Sequence, residues 1–176
     1  MADETGEIGW YKPRSRAIIP FDRFRVSKSL KKSAGRFEYE FDRDFMAVVD
    51  ACSNREETWI SPEIKAAYSK LFDDGMAHSC ATYLGEELVG GVFAVTFGAA
   101  MFGESMFHSQ ADAGKVALWR LCQQAEKCGY ELFEVQFLTP HLESLGAVEI
   151  DDDEYFPLLR LALEKSPRPL TSSAAP

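Results

Sequence analysis

Glu134 and Gln136 stand two residues apart in a short apolar run, Leu132-Phe-Glu-Val-Gln-Phe137. On a strand, side chains two positions apart leave the same face, so this spacing brings a carboxylate and an amide to one place. Such a pair can orient an attacking amine and accept or relay its proton. Glu104 and Ser105 interrupt a second core-like run, Gly103-Glu-Ser-Met-Phe107. Buried polar groups without partners are costly, so two strands that carry them point to a pocket. A polar pair facing solvent on an edge strand fits the same alternation, and the pattern alone leaves both readings open. Trp59, Met101, Phe102, Met106, Phe107 and Phe133 can wall an apolar pocket whose mouth holds the polar groups.

The elements that must position these residues follow from periodicity and punctuation. Arg36–Phe41 alternates polar and apolar and predicts a strand. Asp42 then caps a short helix with Phe45, Val48 and Val49 on one face. Ser61-Pro62-Glu63 opens a second helix with a capping hydroxyl, a first-turn proline and an acid. It should run to about Phe72 and stop at Asp73-Asp74-Gly75. Three strands follow, at His78–Leu84, Leu88–Phe97 and Ala100–Phe107, joined by hairpin turns. A helix from Asp112 to Lys127 ends at Gly129. Glu131–Phe137 is the next strand, Leu142–Leu145 a helical turn, and Glu154–Leu163 a last helix.

This order, β-α-α-β-β-β-α-β-α, predicts an α+β fold of the N-acetyltransferase (GNAT) type, a mixed sheet flanked by helices. Residues 1–22 read as a short extended segment, 23–165 as the domain, and 166–176 as a flexible Pro- and Ser-rich tail. Fold does not choose a reaction. A coenzyme A enzyme needs a glycine-rich turn that cradles pyrophosphate at the start of the central helix. His108-Ser-Gln-Ala-Asp-Ala-Gly-Lys115 has one glycine, which disfavours that chemistry. The three histidines are scattered and the four cysteines show no ligand spacing, so neither a metal nor a cofactor is expected. Ser105 lacks the second glycine of a nucleophile elbow.

At 176 residues and 46% hydrophobic, the chain fits one domain with a sizeable core. No apolar stretch is long enough for a membrane span, and the acidic start is unlike a secretory signal. The expected setting is cytoplasmic, with reduced thiols. Net charge is −9, which argues against general nucleic-acid binding, yet residues 1–36 hold nine basic residues against four acidic ones. A basic strip on an acidic body suits a docked polyanion; an ordinary solvated surface has the same composition.

Eight stretches in order then carry a resemblance. They are Trp10-Tyr-Lys-Pro-Arg-Ser-Arg-Ala17, Val26-Ser-Lys-Ser-Leu-Lys31, Thr58-Trp-Ile60 and Gly75-Met-Ala-His-Ser79, then Leu88-Val-Gly-Gly91, Gly103-Glu-Ser-Met-Phe107, Lys115-Val-Ala-Leu118 and His141-Leu-Glu-Ser-Leu-Gly-Ala147. Over residues 10–150 the chain resembles the bacterial leucyl/phenylalanyl-tRNA–protein transferases. The resemblance implies a GNAT-like domain that uses aminoacyl-tRNA instead of coenzyme A. Such enzymes move Leu or Phe, and sometimes Met, to proteins with N-terminal Arg or Lys, marking them for N-end rule degradation.

The family's acid-x-Gln motif falls on Glu134 and Gln136, which become the catalytic pair, with glutamate where the family usually has aspartate. The resemblance implies substrate binding by Trp59, Glu104, Ser105, Met106, Phe107, Leu118, Leu121 and Phe133. Lys12, Arg14, Arg16, Arg25, Lys28, Lys31, Lys32 and Arg36 would hold tRNA phosphates. Fewer than ten residues precede Trp10, so the family's small N-terminal domain, which contributes to the amino-acid pocket, is nearly absent from this sequence. The expected state is a monomer. Two other readings remain: a non-catalytic module that binds tRNA or N-terminal peptides, and an acyl-CoA acetyltransferase.

Overall fold

The apolar run from Val89 to Val95 has no room for a polar face, and it becomes the centre of a sheet covered on both sides. The computed structural model describes residues 14–170. Its strands are β1 (Ser15–Ile18), β2 (Glu38–Phe41), β3 (Ala77–Leu84), β4 (Glu87–Phe97), β5 (Ala100–His108), β6 (Leu132–Gln136) and β7 (Val148–Asp151). They form one sheet in the order β2-β3-β4-β5-β6-β1-β7. Every neighbouring pair is antiparallel except β5 and β6.

The helices are α1 (Lys28–Ala34), α2 (Phe45–Ser53), α3 (Pro62–Asp73), α4 (Ala113–Cys128), α5 (Pro140–Ser144) and α6 (Asp152–Leu163). α4 is the crossover that lets β6 return parallel to β5. It packs on one face of the sheet with α1, through Leu118, Leu121 and Cys122 against Val92, Ala94 and Phe133. The other face takes α2 and α3 over Phe93 and Val95, and α6 over Ala100 and Leu132. Alternation along β4 decides which side chain joins which layer. The expected α+β, GNAT-type sheet between helices is what the chain forms.

Three elements were not anticipated. Residues 15–18, read as part of an extended segment ahead of the domain, are a strand held between β6 and β7 with Ala17 and Ile18 buried. Four residues between prolines carry no periodicity of their own, and the pairing is tertiary. The basic stretch at 28–34 is a helix: Ser27 accepts the Leu30 N–H at 3.1 Å, and only Leu30 and Ala34 are buried. β7 is equally short. At the other end, residues 166–170 pack rather than trail, with Leu170 wholly buried and its carbonyl accepting from Gln124 at 2.6 Å. The expectation for 171–176 lies outside the described residues.

One joint fixes the basic segment to the rest. The Arg25 N–H donates to the Leu145 carbonyl at 2.8 Å, just past α5. Gly146 follows with φ +105°, and a Cβ there would sit 2.3 Å from the Arg23 carbonyl oxygen. A side chain is strained by both the backbone angle and the clash. Gly146→Ala is expected to cost about 3 kcal/mol, lowering Tm by roughly 6–12 °C in calorimetry. An unchanged Tm would contradict this close approach.

Candidate active site

Parallel pairing between β5 and β6 lasts three residues, Ala100↔Leu132, Met101↔Phe133 and Phe102↔Glu134, and then stops. Two local features turn the strands apart. Phe93 pairs with Ser105 and Ala94 with Gly103, so Glu104 is an unpaired bulge residue in β5. Gln136, at the end of β6, has φ 64°, in the left-handed region. A slot of about 180 Å³ opens between the diverging strands. An apolar cavity of about 150 Å³ accepts benzene, so this one suits a single large side chain. Val92, Met106, Leu118, Phe133, Val135 and Leu142 supply its apolar lining, while Glu104, Ser105, Thr139 and His141 supply its polar groups.

Glu104 lines the slot from β5, Glu134 stands next to its lining residues Phe133 and Val135 on β6, and each carboxylate is held by other elements. The Tyr68 hydroxyl of α3 donates to Glu104 Oε2 at 2.8 Å. Burial raises the Glu104 pKa and the charge of Glu134 adds to this, while the Tyr68 bond opposes them. Tyr68 keeps its proton, because burial first and Glu104 second push its pKa up. Glu134 is 3% exposed. Arg16 Nη1 of β1 donates to its Oε1 at 2.8 Å, and the Tyr155 hydroxyl of α6 donates to its Oε2. Burial, then Glu134, raises the Tyr155 pKa in turn. A buried carboxylate without partners would be prohibitive, so Arg16 and Tyr155 are what make Glu134 tolerable there.

Of the residues expected to bind substrate, Glu104, Ser105, Met106, Leu118 and Phe133 line the slot. Other expected residues lie elsewhere. Both Glu134 oxygens are taken by Arg16 and Tyr155, and Gln136, two residues on, takes a left-handed backbone. Gln136 is half-buried at the end of β6. Leu121 is wholly buried in the core behind the slot, and Phe107 packs with the α2–α3 cluster. Trp59 is 49% exposed and stands edge-on to Tyr68, with centroids 6.3 Å apart, so it borders the Glu104 end without lining the slot.

Tyr68, Tyr155, Thr139 and His141 were not among the expected site residues, and Arg16 was not expected as a partner of Glu134. Tyr68 lies on an ordinary amphipathic helix, and Tyr155 and Arg16 meet Glu134 only through the fold. Arg16 is therefore ion-paired internally and is not a free phosphate contact, correcting the expectation for that residue. Arg14, Arg25, Lys28, Lys31, Lys32 and Arg36 are exposed and, among the described residues, carry no ion pair. Lys12 lies outside the described residues. Near Ser105, the Arg55 guanidinium donates to the Met106 carbonyl at 2.6 Å. Burial pushes the Cys52 thiol up to about 11, against the Ser105 bond and Arg55, so it is no nucleophile at neutral pH.

The start of α4 carries a carboxylate where a coenzyme A pyrophosphate would need backbone N–H groups. Asp112 is left-handed at φ 70°, accepts from Ser33 Oγ at 2.8 Å and pairs with Lys115 at 3.2 Å. The Ser33 bond leads in holding its carboxyl below the usual range, so it stays charged and repels phosphate. No group of His, Cys, Asp or Glu among the described residues could hold a metal ion, and no described helix is long and apolar enough to cross a membrane. A larger groove of about 630 Å³ lies between Met76–His78 and residues 165–169. Its acid is already satisfied, Asp42 accepting the Ser79 N–H at 2.7 Å and bonding His78 Nδ1 at 2.8 Å. None of the predicted site residues lines it, so the slot is the better candidate.

Comparison with known proteins bears on the fold and the family. A GCN5-related N-acetyltransferase from Kribbella flavida superposes with a TM-score of 0.53 at 14% identity, over 80% of this chain and 57% of that one, which establishes the fold. A leucyl/phenylalanyl-tRNA–protein transferase of Cereibacter sphaeroides (strain ATCC 17029) is 50% identical over 160 residues, covering 90% of this chain and 75% of the relative. One from Nostoc sp. (strain PCC 7120) is 44% identical over 166 residues, covering 93% and 87%. The family described as leucyl/phenylalanyl-tRNA protein transferase matches residues 18–160. With the family matched across most of its length, this chain belongs to the leucyl/phenylalanyl-tRNA protein transferases.

Proposed function

We propose that this chain transfers leucine or phenylalanine, and sometimes methionine, from aminoacyl-tRNA to the α-amine of proteins that begin with Arg or Lys. The modified proteins then enter N-end rule degradation, and the enzyme works as a monomer in the cytoplasm. The observation that carries the reading is the slot: one apolar side chain's volume, edged by a carboxylate, at the divergence of two parallel strands.

The reaction is aminolysis of an ester. The acceptor amine attacks the aminoacyl carbonyl, a C–N bond forms and the C–O bond to ribose breaks. The amine gives up a proton and the ribose oxygen gains one, so no metal or redox partner enters. The ester is already activated, and placing the two substrates accounts for most of the acceleration. The leucyl or phenylalanyl side chain fills the space between Met106, Leu118 and Phe133. Discrimination by size is about 1–3 kcal/mol per methylene. Glu104, braced by Tyr68, draws a cationic amine. The bonds from Arg16 and Tyr155 to Glu134 fix the end of β6, and through it the Gln136 amide that positions the attacking amine. Acceptor-stem phosphates lie along Arg14, Arg25, Lys28, Lys31, Lys32 and Arg36, a contact that gives affinity without sequence reading.

The test is mass spectrometry of an Arg- or Lys-started peptide incubated with the protein and a mixture of charged tRNAs. The expected product is the peptide heavier by one Leu, Phe or Met residue. No mass gain with tRNA binding intact would move the assignment to a non-catalytic binding module. Glu134→Gln should lower kcat by about tenfold or more, with tRNA affinity within twofold and the folded state verified by Tm. Normal turnover would remove Glu134 from the mechanism. Replacing Lys31 and Lys32 by Ala should flatten the slope of log K against log salt for tRNA binding by about one per lysine; an unaltered slope would place the phosphates elsewhere.

A further inference from the structure

Three buried side-chain polar atoms have no partner among the described residues: Ser79 Oγ, Arg120 Nε and His141 Nε2. Arg120 is sandwiched by the rings of Tyr39 and Trp119, at 4.6 and 4.5 Å from its Cζ, and Ser79 lies inside β3. His141 alone of the three borders a cavity, the slot between β5 and β6. Its place is set by local sequence. Thr139 Oγ1 accepts the Leu142 N–H at 3.2 Å, Pro140 opens α5, and Leu142 and Leu145 turn into the core. A buried polar atom left unpaired is costly, and each one calls for an explanation, a bound ligand or water among them.

The slot has different polar groups on its two walls. On the β5 wall Glu104 offers a carboxylate. On the α5 wall stands His141, whose pKa is lowered by burial first, then by Lys115 and His108, and Lys115 also pairs with Asp112 at 3.2 Å. The imidazole is neutral at pH 7. Beyond it, Ser33 of α1 bonds Asp112 at the start of α4, which places the exposed Lys28, Lys31 and Lys32 on the neighbouring helix.

An aminoacyl ester carries three groups that must be shared among these walls: an apolar side chain, an α-ammonium, and a ribose attached to phosphate. The side chain takes the apolar interior. The ammonium goes to the Glu104 carboxylate. The ribose is left for the His141 wall. We infer that His141 is a ribose-reading residue: its Nε2 hydrogen-bonds the free hydroxyl of the terminal nucleotide that neighbours the aminoacyl ester. A neutral imidazole nitrogen can donate or accept, and a hydroxyl can answer either way. This assignment rests on the transferase reading above and adds the substrate group that the slot recognises besides the amino acid. It makes the site selective for a ribose end over a deoxyribose end.

A functional-group cycle tests it. Transfer is measured as kcat/KM for wild type and His141→Ala, each with tRNA whose terminal nucleotide carries or lacks the hydroxyl beside the ester. Either change alone should cost about tenfold, and both together little more than one. Equal losses for His141→Ala on both substrates, or no loss on either, would overturn the proposal. His141→Gln retains a hydrogen-bonding group and should keep part of the hydroxyl dependence, with Tm reporting on folding. The same cycle read by calorimetry, as affinity for an amide-linked aminoacyl adenosine with and without that hydroxyl, does not need turnover. Absent transfer by wild type would sink the transferase reading, whereas additive losses of affinity would sink the role of His141 alone.

Discussion

Everything in the site depends on two parallel strands that part after three paired residues. A β-sheet normally keeps its ladder, because unpaired backbone groups inside a protein are costly. Here the ladder is broken by design of sequence: Glu104 is bulged out of β5, and Gln136 takes a left-handed turn at the end of β6. Gly103 lets the strands stay close at the apex, where a Cβ would meet the Phe133 ring at 3.1 Å. The break converts core into a slot whose interior is still apolar. In an open sheet, the carboxyl ends of diverging parallel strands are where ligands bind.

Buried carboxylates lie at and beside that slot, and the fold supplies partners for them from distant segments. Glu134 is bonded by Arg16, 118 residues earlier, and by Tyr155, 21 residues later. Those two contacts bind β1, β6 and α6 into one unit, so the carboxylate is as much an architectural group as a chemical one. Glu104 is held separately by Tyr68, itself packed on Phe93 with ring centroids 4.9 Å apart. The acid at the start of α4 completes the division of labour. With Asp112 there, the helix start that a coenzyme A enzyme would offer to pyrophosphate is negatively charged. The same sheet and crossover helix thus serve a ligand that enters by its aminoacyl end.

Much of this was legible in the sequence. The three-strand meander, the crossover helix ended by Gly129 and the helix opened by Ser61-Pro62 follow from alternation, capping and glycine punctuation, and the element order gave the fold class. Glu104, Ser105, Met106, Leu118 and Phe133, which line the slot, were legible as candidates because polar groups in core-like strands, and the family resemblance, mark them. What escaped is tertiary. β1 has four residues and no pattern, and it exists because β6 and β7 leave a gap between them. The left-handed backbone at Gln136 and the partners of Glu134 have no signature in the period-two pattern. Arg16, exposed in composition and basic in a basic segment, looked like a phosphate contact until its partner, far along the chain, became visible. Tyr68, Tyr155 and His141 are unremarkable locally; their meaning comes from what faces them.

The central claim is that the aminoacyl group enters the slot between β5 and β6 and not the larger groove at the other cavity. Two methionines report on this separately, since Met106 lines the slot and Met76 lines the groove. Methyl-labelled methionine spectra, recorded while an amide-linked phenylalanyl adenosine is added, follow both at once. The account predicts a saturable shift of the Met106 methyl with Met76 unmoved. A shift of Met76 with Met106 unmoved would contradict it.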